Sequence, residues 1–219
     1  EPVQNWNQVF ASHEPDLLCI STDSRNIDAA TAAQRVSIAT SWALAHGFRL
    51  MKKIDSLMRG NLASELDAFM SKATIAGCSF LFAPALPNQG RVTAGGHQYH
   101  GSQLITESEA AADPLAPALD SELKSFISGE RPIHQLDLEQ VRDSSLAEHL
   151  QRLSTRGAVL IADAATEDDM VRLRRAALNL PHVALIGSSG ILTDNPATPQ
   201  GTLQPNFSNL LIITASRRK

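Results

Sequence analysis

Ten consecutive residues, Lys52 to Asn61 (KKIDSLMRGN), bring together three cations (Lys52, Lys53, Arg59), a carboxylate (Asp55), a hydroxyl (Ser56) and a Gly-Asn pair. Cations attract a small anion, and a carboxylate can accept or orient the proton of an attacking hydroxyl. Gly60 lets backbone approach a ligand closely. If the KKIDS segment is extended, Lys53 and Asp55 share one face, and Lys52 and Ile54 share the other. A self-satisfied Lys–Asp pair at a sheet edge is the structural alternative. Ser56 reads as a substrate hydrogen-bonder, a helix N-cap, or both. Arg59 and Asn61 either touch the ligand or tie down a neighbouring loop. A second cation, Arg25, follows Thr22 in TDSRN. Its planar guanidinium suits a carboxylate held by two parallel hydrogen bonds, and a capping or surface arginine is the other reading. Asp23 and Asn26 shape that turn or cap the helix after it.

These residues must be positioned by the elements around them. Phe48 to Ile54 reads as a strand, and Leu62 to Met70 as a helix with Leu62, Leu66, Phe69 and Met70 on one side. In an open α/β sheet, the turn from a strand's carboxyl end into a helix is where ligands bind. The helix also aims its free N–H groups and positive dipole end at that turn. The same alternation runs along the chain. A strand over Asp16 to Ser21 precedes a helix from about Asp28 to His46, stopped by Gly47. Cys78 to Ala83 is a strand that enters a Pro- and Gly-rich stretch, which then alternates as a β-ribbon around 91–105. Thr106 to Glu109 has the T-x-x-E form of a capping box opening a short helix. A helical stretch over Leu119 to Ser128 leads to a strand at Ile133 to Leu136. A helix from about Ser144 to Thr155 follows, then the strand Gly157 to Asp163. Thr166 caps a helix with Glu167, Asp168 and Asp169 in its first turn. His182 to Ile186 is another strand, closed by Gly187 to Gly190. Residues 193–208 read as an irregular linker to a last strand, Asn209 to Thr214. The pattern predicts an α/β fold: a mostly parallel, doubly wound sheet with helices on both faces, in one domain over 1–219.

Composition narrows the function classes. A net charge of −4 argues against a nucleic-acid or anionic-membrane surface, and no apolar run approaches the length of a membrane span. Cys19 and Cys78 lie in apolar strand-like runs and read as buried free thiols in a reducing, cytoplasmic setting. No Cys/His cluster has metal-ligand spacing, so no metal site is expected. His97 and His100 read as polar loop residues. Neither G-x-G-x-x-G nor G-x-x-x-x-G-K-[ST] occurs, which disfavours a Rossmann-type oxidoreductase or a Walker-type nucleotide site.

Three segments taken together carry a resemblance. TDSRN after the first strand, KKIDSLMRGN after the second and APALPNQGRVTAGGHQYHG (Ala83 to Gly101) after the third resemble, in order and spacing, the N-terminal domain of the four-carbon acid sugar kinases. The resemblance implies ATP- and Mg²⁺-dependent phosphorylation of threonate, erythronate or 3-oxo-tetronate. By this likeness Arg25, Lys53, Ile54, Asp55, Ser56, Arg59 and Asn61 would bind the sugar acid, and Asp55 would be catalytic. Gln89, Gly90 and Arg91 resemble the family's loop after the third strand, a candidate domain contact. Ala215-Ser216 resembles the start of a Gly-Ser-x-Ser turn, which makes Ser216 a nucleotide-binding candidate. The chain also departs from the family. No Asp-Asp-x-Thr-Gly-Ala turn precedes Asp16, the family's Asp-Ser-Thr-Leu-Arg-Gly reads Asp55-Ser56-Leu57-Met58-Arg59-Gly60, and the C-terminal nucleotide-binding domain is absent. The polypeptide therefore reads as a substrate-binding half, partnered by a sugar acid, by the family's nucleotide-binding domain and by a second copy in a homodimer. A non-catalytic binding module of the same descent is the alternative.

Overall fold

The computed structural model describes residues 17–192 and 209–215. In chain order the elements are β1 (Leu17–Ser21), α1 (Ala29–Ala45), β2 (Arg49–Lys53), α2 (Leu62–Ile75) and β3 (Ser79–Ala83). The ribbon strands β4 (Arg91–Ala94), β5 (His97–His100) and β6 (Gln103–Leu104) come next. They are followed by β7 (Ile133–Leu136), α3 (Leu138–Arg142), α4 (Leu146–Leu153), β8 (Val159–Ala162), α5 (Glu167–Leu178), β9 (Val183–Gly187) and β10 (Leu210–Thr214). Seven strands form one parallel sheet in the order β1-β10-β2-β9-β3-β8-β7, and β4-β5-β6 form a separate antiparallel sheet.

Both faces of the large sheet are covered, as the alternation predicts. On one face α1 and α2 bring Val36, Leu66, Phe69 and Met70 against Leu50, Ile54, Phe80, Phe82 and Ile213. On the other, α3, α4 and α5 bring Val141, Leu150 and Leu173 against Met51, Leu81, Leu160, Leu185 and Ile212. Every residue of β3 and β9 is buried, which is why those strands read as unbroken apolar runs. Local signals hold at several ends. Asp28 caps α1 through the Thr31 N–H, and Gly47, at φ 72°, ends it. Thr166 and Asp169 form a full capping box on α5. The ribbon is not a free flap. The Asp163 carboxylate, beyond β8, accepts from Gly95 N at 2.7 Å and Gly96 N at 2.9 Å at the ribbon's tip.

Several expectations are corrected. Thr106 opens no α-helix: its hydroxyl pairs with Ser121 Oγ at 2.9 Å, and 3₁₀ turns occupy Ile105–Glu107 and Glu109–Ala112. The stretch at 119–128 is helical only as a 3₁₀ turn, Leu123–Phe126. The short α3, capped by Asp137, was not legible as a separate helix. Cys19 is exposed and Cys78 half-buried, both as free thiols. Asp169 does more than start a helix, since its buried carboxylate takes Arg142 Nε at 2.9 Å and Nη2 at 3.0 Å. The linker at 193–208 lies outside the described residues. Among the described residues no helix is long and apolar enough to cross a membrane.

Candidate functional site

Two turns meet at the carboxyl edge of the sheet, one leaving β1 and one leaving β2, with the end of β10 between them. The first is held from three sides. Thr22 Oγ1 donates to Thr214 O at 3.0 Å and lies 2.7 Å from Ser24 Oγ. Arg35, on α1, donates to the carbonyls of Thr22 and Asp23, both at 3.0 Å. The N–H groups of Ser24 and Arg25 donate to Ala215 O at 3.0 and 3.3 Å. Asp23 adopts φ 47°, a left-handed conformation that aspartate tolerates in turns. These bonds place the Arg25 side chain over the turn that leaves β2.

That second turn is laced to the first. Asn61 Nδ2 donates to Ser24 O at 2.9 Å and to Ile27 O at 2.6 Å. Gly60 adopts φ 90°, and a Cβ there would sit 2.9 Å from Arg25 Cγ. Glycine is required at this position for both reasons. Met58, at φ 57°, turns the chain back after Asp55.

The charged groups form a line. Asp55 Oδ2 accepts from Arg59 Nε at 2.6 Å, and Asp55 Oδ1 lies 3.6 Å from Arg25 Nη2. Arg59 Nη1 continues to Asp113 Oδ2 at 2.9 Å. The hydrogen bond to Asp55 raises the Arg59 pKa further above its ordinary value. Asp113 is held below the usual carboxylate value by the N–H groups of Leu115 and Ala116 first, and then by Arg59. Arg25 is less engaged: at 3.6 Å its contact with Asp55 is an ion pair, not a hydrogen bond, and among the described residues its Nε has no hydrogen-bond partner.

Beneath this line lies a buried pair. Lys52 Nζ meets Glu65 Oε2 at 2.6 Å, and Ser24 Oγ donates to Glu65 Oε1 at 2.7 Å. A shallow cleft, open to solvent and enclosing space for little more than one water molecule, is lined by Arg25, Ile54, Asp55, Arg59, Asn61 and Glu65 and closed by Leu62 and Ala215. It is smaller than a drug-sized site. It combines an under-used guanidinium, the first-turn N–H groups of α2 and a carboxylate acceptor, a set that can hold an anion and orient a neighbouring hydroxyl.

The other expected residues lie elsewhere. Lys53 does not line the cleft. Strand alternation puts it on the Met51 face, where its charge opposes the burial that pushes the Cys19 thiol up. Asp55 lies past the last β2 residue, so strand alternation does not govern where its side chain points. Ser56 is no N-cap, because α2 begins at Leu62 with Asn61 as its cap residue. The Ser56 side chain is absent from the cleft lining. Gln89, Gly90 and Arg91 stand apart from the cleft at the start of the ribbon, with Gly90 at φ 71° and Arg91 Nη1 bonded to Gln89 Oε1. Gly187 and Gly190 are packing positions, where a Cβ would meet Ala83 O at 2.5 Å and Ala85 O at 2.3 Å. Ser216 lies outside the described residues. Among the described residues no three His, Cys, Asp or Glu side chains gather as a metal site. The cleft carboxylates are each paired with a cation, so this set does not fit a resident Mg²⁺.

Glu65 and Asp113 were missed, and Lys52, counted among the motif's cations, is buried against Glu65. Glu65 carried a signal, because a carboxylate on the Leu62–Leu66–Phe69 stripe must find a buried partner. Asp113 carried none.

Known proteins resemble this chain over most of its described length. The model of a sugar-binding N-terminal domain family matches residues 3–194. A D-threonate kinase of Salmonella typhimurium is 32% identical over 193 residues, covering 84% of this chain and 45% of the kinase. A 3-oxo-tetronate kinase of Cupriavidus necator is 29% identical, covering 84% and 44%. The chain thus spans less than half the length of the curated relatives it matches. A crystal structure from Bordetella bronchiseptica, a domain of unknown function with bound citrate in a domain-swapped dimer, superposes with a TM-score of 0.65. It is 29% identical and covers 77% of this chain and 41% of its own.

Proposed function

Because this chain belongs to the family of sugar-binding N-terminal domains, we propose that it is the acid-binding half of an ATP-dependent kinase for four-carbon sugar acids. The observation that carries this reading is the line Arg25–Asp55–Arg59 in a small cleft, with Arg25 only loosely paired. Arg25 grips the carboxylate of threonate, erythronate or 3-oxo-tetronate, helped by the free N–H groups that open α2. Asp55 accepts the hydrogen bond of the acceptor hydroxyl and, in transfer, its proton. Arg59 holds Asp55 in place from the far side. Ile54 and Asn61 wall the cleft. Lys53 and Ser56 lie outside its lining. The citrate bound by the Bordetella relative is itself a small hydroxy acid, and the kinase relatives are named for four-carbon acids. ATP and Mg²⁺ belong to a nucleotide site beyond the described residues, where Ser216 is a candidate. A homodimer is proposed from the dimeric relative and a cytoplasmic location from the free thiols, tested by light scattering and by fractionation.

The test is a thermal-shift and calorimetric titration of the purified chain with the three acids, with the matching uncharged tetritols as controls. A ligand at 100 times its dissociation constant stabilises a fold by about 2.7 kcal/mol. Stabilisation by a tetronate, absent with the tetritol and lost in Arg25→Ala, is expected. A folded chain that responds to none of the acids, or an Arg25→Ala variant that binds like the parent, refutes the reading.

A further inference from the structure

The carboxylate proposed to act on the ligand sits in a turn with an unusual support. Asp55 to Met58 is closed by Met58 N donating to Asp55 O at 3.0 Å, with Met58 in the left-handed region. A non-glycine residue there is strained unless its surroundings hold it. The turn's second residue, Ser56, is buried, and among the described residues no backbone N–H donates to its carbonyl. Its partner comes from the ribbon. Gln98, on β5, is 0% exposed. Its Nε2 donates to Ser56 O at 3.0 Å and reaches Pro84 O at 3.5 Å, while its Oε1 accepts from Thr93 Oγ1 at 2.7 Å. A buried amide has one acceptor end and one donor end, and both are used here. Pinning the ribbon alone would require only the acceptor end. The donor end goes to the residue that follows Asp55.

We propose that Gln98 is a positioning residue for Asp55, fixing the turn's orientation through the Ser56 carbonyl. This rests on the reading that Asp55 acts on the ligand's hydroxyl. The ribbon is itself anchored independently. Thr93 exchanges backbone bonds with Ala164 at 2.9 and 3.0 Å, Gln98 N donates to Ser121 O at 2.8 Å, and Asp163 clasps the ribbon's tip. The ribbon can therefore serve as a fixed post from which the amide reaches the turn.

The experiment uses the full chain and a readout that needs no ligand: the exchange rate of the Arg59 Nε–H, which is bonded to Asp55 at 2.6 Å, followed by NMR. Gln98→Glu keeps the acceptor for Thr93 but turns an acceptor toward Ser56 O. The Arg59 Nε–H exchange should then accelerate about fivefold, the factor that one hydrogen bond's net contribution of about 1 kcal/mol corresponds to. Thr93→Val removes the other leg. It should lower the thermal midpoint and leave that exchange rate at the parent value. Gln98→Met, which removes both legs at similar volume, serves if the glutamate variant does not fold. A folded Gln98 variant with the parent exchange rate overturns the proposal, as does a Thr93→Val variant that accelerates exchange equally. Titration with tetronates separates the two readings. If exchange responds as expected but no acid binds the parent chain, the acid-binding function falls and the role of Gln98 in holding the turn stands. If acids bind and exchange is unmoved, the reverse holds.

Discussion

Replacing Glu65 with Leu would strand the ammonium of Lys52 inside the protein. The Lys52 side chain is 0% exposed and that of Glu65 3%, with 2.6 Å between Nζ and Oε2. Removing one partner of a buried pair costs about 3–5 kcal/mol, because the remaining charge has lost both water and its counter-ion. The structure ranks the two single changes within that range. In Lys52→Met, Glu65 keeps the hydroxyl of Ser24 as a donor at 2.7 Å, which points to the lower end, about 3 kcal/mol. In Glu65→Leu, Lys52 keeps only the Lys53 carbonyl, at 3.5 Å among the described residues, which points to the upper end, about 5 kcal/mol. For a chain of this size those losses correspond to a fall in thermal midpoint of about 6–20 °C. The double variant Lys52→Met/Glu65→Leu removes both charges together and should recover most of the loss. Urea denaturation of the four proteins closes the cycle. Single variants that lose less than about 1 kcal/mol, or a double variant that loses the sum of the two, would refute the account of a buried, mutually dependent pair.

Three other outcomes are expected. Gly60→Ala must hold a Cβ at φ 90° and 2.9 Å from Arg25 Cγ, so it should cost about 1–2 kcal/mol and weaken tetronate binding by displacing Arg25; unchanged melting and affinity would count against it. Burial holds the Asp163 pKa above 3.8, against the pull of the Gly96 and Gly95 N–H groups. A raised folded-state pKa means stability present at low pH and lost as pH rises through that raised value, so the parent should lose stability relative to Asp163→Asn as pH climbs upward from about 3.8; parallel stability–pH curves would exclude this. In a polypeptide that also carries the nucleotide site, Asp55→Asn should lower turnover by about 10²–10⁴-fold with little change in acid affinity, whereas Arg25→Ala should cost affinity first; steady-state kinetics beside calorimetry separates the two.

The layered fold was legible because the central strands sit in apolar runs and the longer helices in periodic ones, and β3 and β9 are buried on both faces. The meeting of Arg25, Asp55, Arg59 and Asn61 was legible for a topological reason: both turns follow parallel strands and so share an edge. What escaped depended on partners distant in sequence. Glu65 finds Ser24 and Lys52, Arg59 finds Asp113, and Gln98 finds Ser56; no local pattern encodes such pairs. Thr106 shows the opposite failure, a correct local motif overridden when its hydroxyl bonds Ser121 instead of a helix N-terminus. The expected shared face of Lys53 and Asp55 does not follow, because β2 ends at Lys53 and strand alternation does not reach Asp55.

β10 pairs with β1 over five residues on one side and with β2 over five on the other. The strands that deliver Arg25 and Asp55 are therefore not hydrogen-bonded to each other, and lie two strand spacings apart, about 10 Å. Their common frame is synthesised after both turns. The roughly 160 residues from Asp55 to Ala215 take about 8–32 s to add at ~5–20 residues per second. During that interval the nascent chain holds both turns but no strand to set the distance between them. A ligand in the surrounding solution then has no assembled cleft to stabilise, so it can rescue a folding-defective variant only after β10 has left the ribosome.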